Sequence, residues 1–405
     1  MKNQNITFTT IALTLACLRF LTSKAFGVTP APDGGYPGLN TAEGQNALLS
    51  LSTGQGNTAV GWFSLKSNTD GSFNTAVGAG TLLLNIGDQS TGDGVENTAT
   101  GAAALLSNTI GDSNTANGAF ALLSNTEGDA NTAIGDRALF SNTTGNFNTA
   151  NGAQALLSNT TGSNNTANGL QALFHNTTGS NNVANGFQAL SSNSTGSSNT
   201  ANGLQALYSN TTGFNNTADG FGALASNTEA NSNTAVGWRA LHINTIGNSN
   251  TAVGVNALAF NVSGAQNTAM GLGALFNTTG NNNTALGFGA GDQLSTGGNN
   301  IDIGYLVEGV AGESNTIRIG DNLPQEHQSG CYIGGVFDGQ VGPDAFIVSV
   351  DADNKIGDTV LPAAPKVRVK DVVDSLKKVQ ELEAAVAALA TELQKVSARL
   401  ETSNP

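Results

Sequence analysis

The side chains that could do chemistry in this sequence are few and scattered. There are three histidines, His175, His242 and His327. Paired imidazoles at helical spacing would hold a metal, and no two of the three are so spaced; His175 and His242 stand at repeat positions ten and nine, where other units carry Ser, Leu or Phe. The aspartates do not follow the Gly-Gly-x-Gly-x-Asp phrase by which some β-rolls bind calcium; Asp302 and Asp321 are the nearest candidates for such a site. No phosphate loop, nucleophile elbow or zinc spacing is present, and a chain this rich in glycine matches short glycine motifs by chance. The cysteines are Cys17 and Cys331. Cys17 lacks a lipoprotein box, because Thr14 stands where an aliphatic residue is needed. If the leader is cleaved, Cys331 remains alone, either buried or pairing between chains. The expectation is a non-enzyme with no catalytic residue, cofactor or metal.

What does recur is threonine behind asparagine. Thr58, Thr75, Thr98, Thr115, Thr132, Thr149 and Thr166 each follow an Asn. A flat threonine array on a solenoid can bind ice, so an ice-binding β-solenoid is an alternative function. The simpler reading is that Thr suits a strand.

The elements that position these residues come from a 17-residue repeat. Its opening Asn recurs at Asn97, Asn114, Asn131, Asn148, Asn165, Asn182, Asn199, Asn216, Asn233, Asn250 and Asn267. Asn40, Asn57 and Asn74 keep the register upstream, a longer unit runs from Asn74 to Asn97, Asn283 follows one deletion, and Asn300 and Asn315 open degenerate copies. A fixed short period predicts units that stack on one another. With the Asn as position zero, position two is Ala, four is Gly and eight is Leu. Side chains alternate along a strand, so the small residues at zero, two and four line one inner face. Leu fills from a facing strand, and Asn-Thr-Thr-Gly supplies the turn. Each rung is expected to hold two short strands, with Asn stacking as an internal amide ladder; some sixteen rungs at about 4.8 Å would run roughly 75 Å. The rung core is Leu122, Leu139, Leu156, Leu173, Leu190 and Leu207. Trp62, Leu170, Phe187, Leu204, Phe221 and Trp238 at position five, with Leu106, Leu123, Phe140, Phe174 and Tyr208 at position nine, do not fit an Ala/Gly-lined coil. They predict burial against identical chains.

The fold class is therefore all-β, a parallel β-roll or solenoid, followed by a small β region and a C-terminal α-helical coiled coil. Residues 1–27 read as a secretory signal, with Lys2, an apolar run from Ile6 to Leu21 and small residues near Ala25. Residues 28–39 form a linker, 40–299 the roll, 300–361 the degenerate repeats and β connector, 362–371 a second linker and 372–401 the coiled coil. Val379, Val386 and Leu393 share one heptad phase, and Leu382, Leu389 and Val396 the other. The net charge of −14 and the absence of a Lys/Arg stripe exclude nucleic acid.

The phrases Asn57-Thr58-Ala59-Val60-Gly61, Asn131-Thr132-Ala133-Ile134-Gly135 and Asn250-Thr251-Ala252-Val253-Gly254 resemble the head repeats of trimeric autotransporter adhesins of the YadA-like class. That resemblance implies a left-handed parallel β-roll, a homotrimer, a bacterial surface or secreted location and a glycan or matrix ligand. The segments Asn315-Thr316-Ile317-Arg318-Ile319-Gly320 and Tyr332-Ile333-Gly334-Gly335-Val336 resemble secreted repeat proteins that end in a tail-spike or endosialidase-type intramolecular chaperone. Arg368-Val369-Lys370-Asp371 matches that family's self-cleaving stretch. Its serine is missing, since Pro365, Lys366 and Val367 precede Arg368, so a tail-fibre-like protein with a vestigial processing region is a further alternative. Heptads with Val then Leu favour a dimer; the resemblance implies a trimer. The expected protein is a secreted, trimeric, adhesin-like fibre that does not anchor itself in a membrane.

Overall fold

The computed structural model describes residues 37–87, 90–321 and 369–401. The expected leader, most of its linker, His327, Cys331, the 332–336 segment and residues 365–368 lie outside the described residues. The chain divides into two units, residues 1–322 and 323–405.

The first unit is a parallel β-solenoid. Seventeen strands, from β1 (Thr41–Glu43) to β17 (Ile317–Asp321), pair in chain order. The repeat period becomes the register. Thr149, Ala150 and Asn151 of β7 (Thr149–Asn151) face Thr166, Ala167 and Asn168 of β8 (Thr166–Asn168). Inward Ala150 and Ala167 are fully buried, while the residues on either side face outward.

Each rung holds one strand, not the expected two. Across the core the backbone runs through left-handed turns, at Gly152 (φ 148°), Gln154 (59°), Leu156 (51°) and Asn164 (59°). These stretches still hydrogen-bond from rung to rung. The Leu156 N–H donates to the Ala172 carbonyl at 2.9 Å, and Ser158 N–H to Phe174 at 3.1 Å. In the other direction Gly152 donates to Ile134 and Gln154 to Asp136, both at 2.8 Å. Backbone groups are satisfied without extended strand. A left-handed Leu costs about 1–2 kcal/mol, and its full burial returns about 1.5–3 kcal/mol, so the turn is sustained by the side chain it buries. Leu122, Leu139, Leu156, Leu173, Leu190 and Leu207 are all fully buried, as expected, though on this turn and not on a facing strand. Gly152 is required because a Cβ there would lie 2.5 Å from the Gly169 carbonyl oxygen.

Asparagine forms two internal ladders. The expected one runs through position zero: Asn148 Oδ1 accepts from the Asn165 backbone N–H at 3.0 Å and from its Nδ2 at 3.1 Å. A second runs through position eleven, where Asn159 Nδ2 donates to Asn142 Oδ1 and Asn176 Nδ2 to Asn159 Oδ1, each at 2.8 Å. Both columns are fully buried.

The long unit and the Asn267 unit depart from 17 residues in the same turn. In the long unit Asn74 and Asn85 both donate to Gly94, so the extra residues lie between Ile86 and Gly94. In the short one Asn267 donates to Gly280, so the missing residue lies between Thr278 and Gly280. The position-eleven ladder stops there: Thr278 replaces Asn, and Asn261 Oδ1 is buried without a hydrogen-bond partner. The last rung opens at Thr316 and not at Asn315, because Ile301 of β16 (Ile301–Tyr305) pairs with Ile317 and Thr316 N–H donates to Asn300 Oδ1 at 3.1 Å.

In the second unit the described element is a helix, α1 (Val369–Glu401).

Candidate interaction surfaces

The outer face of the sheet carries positions one and three. Position one is a threonine column in nearly every rung, broken by Val183 and ending in Ile301 and Ile317. These side chains are half-buried or exposed and in register. Position three changes along the roll. In the middle it is an amide chain, with Asn168 donating to Asn185 and Asn185 to Asn202, both at 2.8 Å. Toward the C-terminal end it becomes apolar, through Val236, Met270 and Leu286.

Beside it stands position five. Trp62, Leu170, Phe187, Leu204, Phe221 and Trp238 all point outward, each between 37% and 46% exposed. The column is in two parts. Trp62 stacks on Phe63 of its own rung at 4.1 Å and is separated from the rest by Ala79, Ala102, Ala119, Asp136 and Ala153. From Leu170 to Tyr305 a large apolar residue stands in every rung. The Phe221 and Trp238 rings lie 6.3 Å apart and nearly parallel, as do Phe288 and Tyr305 at 5.2 Å. Position nine departs from expectation: Leu123 is buried, and Leu106, Phe140, Phe174 and Tyr208 are half-buried within the chain. It is part of the rung's own packing and not of an open stripe.

On α1, Val379, Leu382, Val386 and Leu389 are 51–67% exposed, and the helix is exposed on every side over residues 377–391. The side chains of Leu393 and Val396 lie outside the described ones.

Sequence reasoning passed over the threonines at position twelve. Thr160 Oγ1 donates to the Thr177 carbonyl, and Thr177 Oγ1 to Ser194, both at 3.0 Å. Asn-Thr-Thr-Gly was legible as a turn, but its Asn and first Thr also bond between rungs. The two histidines of the roll meet backbone. His175 Nδ1 lies 3.1 Å from the Ser191 carbonyl and His242 Nδ1 2.8 Å from Gly222; a carbonyl only accepts, so each Nδ1 carries the proton. Among the described residues no three His, Cys, Asp or Glu side chains gather as metal ligands, and no helix is long and apolar enough to cross a membrane.

Among the described residues, charge enters the core at one place. Asp302 occupies the inward position that Ala holds in the preceding rungs and is fully buried. It faces Arg318 at 3.8 Å, and Arg318 is bound through both guanidinium nitrogens to Glu313. Burial raises the Asp302 carboxyl to about 6 against the pull of Arg318. Glu313 is held below its ordinary range by its hydrogen bonds from Arg318.

No protein-family model matches the chain, and no curated protein is significantly similar to it.

Proposed function

We propose that this protein is a secreted, homotrimeric surface fibre, non-catalytic, whose β-roll is a spacer that presents a repeated face for attachment. The observation that carries the reading is α1: a 33-residue helix that leaves Val379, Leu382, Val386 and Leu389 open at heptad spacing. An isolated helix of this kind gains most of its stability by burying that stripe. The chain's net charge of −14 is kept off the seam, since every one of these positions is aliphatic. The apolar column from Leu170 to Tyr305 supports the same assembly. The resemblance to YadA-like head repeats favours three chains, a bacterial surface and a glycan or matrix ligand. Light scattering on the mature full chain tests the assembly, with a trimer expected; a stable monomer at micromolar concentration overturns it. A glycan and matrix array then identifies the ligand class.

The threonine column favours a second reading, an ice-binding solenoid. Its hydroxyls repeat at strand spacing, about 4.8 Å, on an in-register parallel sheet. Thermal hysteresis, lost on replacing Thr149 and Thr166 with larger residues, would decide for it; its absence leaves attachment as the reading.

A further inference from the structure

We propose that the last two rungs of the roll form an acid-tightened cap, in which protonation of Asp302 locks the C-terminal end and its ionisation at neutral pH loosens β16 and β17. The geometry carries this. Asp302 is the single fully buried charged side chain among the described residues, and both of its carboxylate oxygens lack a hydrogen-bond partner. On the Gly291 side its surroundings are hydrocarbon: a Cβ built on Gly291 would lie 3.2 Å from Asp302 Oδ2, 2.8 Å from Leu275 Cδ2 and 3.3 Å from Leu294 Cδ1. An ionised carboxylate in such a place is unfavourable unless it is paired or neutral. Its natural partner is already committed, because Arg318 on β17 binds Glu313, from the turn between the strands, through both nitrogens.

The groups packed around Asp302 do not compensate. Glu313 pushes its carboxyl up by repulsion while Arg318 pulls it down, and desolvation exceeds both. Just beyond, Asp292 is also raised, by burial and by the charge of Glu308. Four carboxylates thus share one guanidinium over residues 292–318. The folded carboxyl titrates at about 6, above the ordinary value of about 3.9. A group raised in this way contributes its stability fully below the ordinary value and loses it as pH rises through the folded one. The end of the roll is therefore tightest in acid, and it opens through the window from about pH 4 to about pH 6.

Native-state hydrogen exchange on the full chain, corrected for the intrinsic pH dependence of exchange, reads the cap directly. Peptides covering 301–321 should be protected about tenfold or more better at pH 4.5 than at pH 7.5. Peptides from 182–216, which contain no Asp, Glu, His, Lys or Arg, should not change. Asp302→Asn and Asp302→Ala should hold the end rungs at their acid level of protection at both pH values. Equal protection of 301–321 at the two pH values in the wild type overturns the proposal. So does a pH response that survives in both variants, which would move the switch to Asp292. Neither result bears on whether the chain is trimeric.

Discussion

Asn148 and Asn159 donate their side-chain amides to the same acceptor, the carbonyl of Gly162, at 2.8 and 2.9 Å. They are eleven residues apart in one rung and approach that carbonyl from the two ladders. Asn148 bridges from the strand and Asn159 from the turn. The pair cross-braces a core too thin to be held by hydrocarbon alone, and the same bracing repeats at Asn165 and Asn176 on Gly179.

Removing the two asparagines should not cost the same. Asn148→Ala takes away the acceptor of the Asn165 backbone N–H. Asn159→Ala takes away the acceptor of the Asn176 amide. Each buried orphan costs about 1–3 kcal/mol, and a side-chain amide can turn toward another partner where a backbone N–H cannot. Hydrogen exchange at Asn165 should accelerate sharply in the first variant and little in the second. Equal effects would mean that the position-zero column is not the main brace.

Leu173 and Leu207 test the face assignment. Leu173→Asp and Leu207→Asp bury a carboxylate among alanines and should unfold the local rungs. Leu→Ala at either place should cost about 2–5 kcal/mol. Thr166→Ser and Thr200→Ser, on the outward side of the strand, should be nearly silent. Circular dichroism melts compare these variants. Tolerated aspartates would place Leu outside the core.

Much of this architecture was legible in the sequence. The period set the register, invariant Ala at position two marked the inward face, and Leu at position eight marked the filler. The second strand was read wrongly because Leu and Gln are not residues expected at positive φ. Yet Gly80, Gly222, Gly273 and Gly289 stand at position six, where other rungs have Gln, Arg, Asn, Phe or Ala, and all are left-handed; those glycines were the available signal. The Asp302 site was not legible as a cap. Nothing in one sequence says that Asp302 and Arg318, both standing where Ala is the rule, face each other one rung apart.

The turn between positions eleven and fourteen should accept insertions. It already holds the extra residues before Gly94 and the deletion before Gly280 while both ladders keep their bonds to the closing glycine or lose only Asn261's partner. Inserting Gly-Ser-Gly between Thr160 and Thr161 should leave the melting temperature within a few degrees of wild type. The same insertion between Gly152 and Ala153 breaks the stacked carbonyl row and should abolish cooperative melting. Equal damage at both sites would show that the long and short units rely on compensations elsewhere.

Ala230 supplies a test with an unusual sign. It replaces the closing glycine in one rung, and the preceding rungs show why glycine is the rule: a Cβ on Gly162 would lie 2.6 Å from Asn159 Oδ1 and still closer to the Gly179 carbonyl. The roll gives way around the extra methyl. The Thr228 N–H bond to Thr245 is 3.2 Å, where Thr211 to Thr228 is 2.9 Å. Asn244 reaches Asn227 at 3.1 Å, where its neighbours in the column span 2.8 Å. Ala230→Gly should close this gap. Glycine's freedom in the unfolded chain costs about 0.4–1 kcal/mol, while relief of an overpacked site is worth about 1–3 kcal/mol. The balance favours glycine, so exchange at Thr228 and Asn244 should slow and the melting temperature should rise or hold. A clear fall would mean that the methyl is accommodated without strain and that the stretched bonds have another cause. Gly162→Ala, the reverse change in an unperturbed rung, should destabilise by about 1–3 kcal/mol and slow no amide.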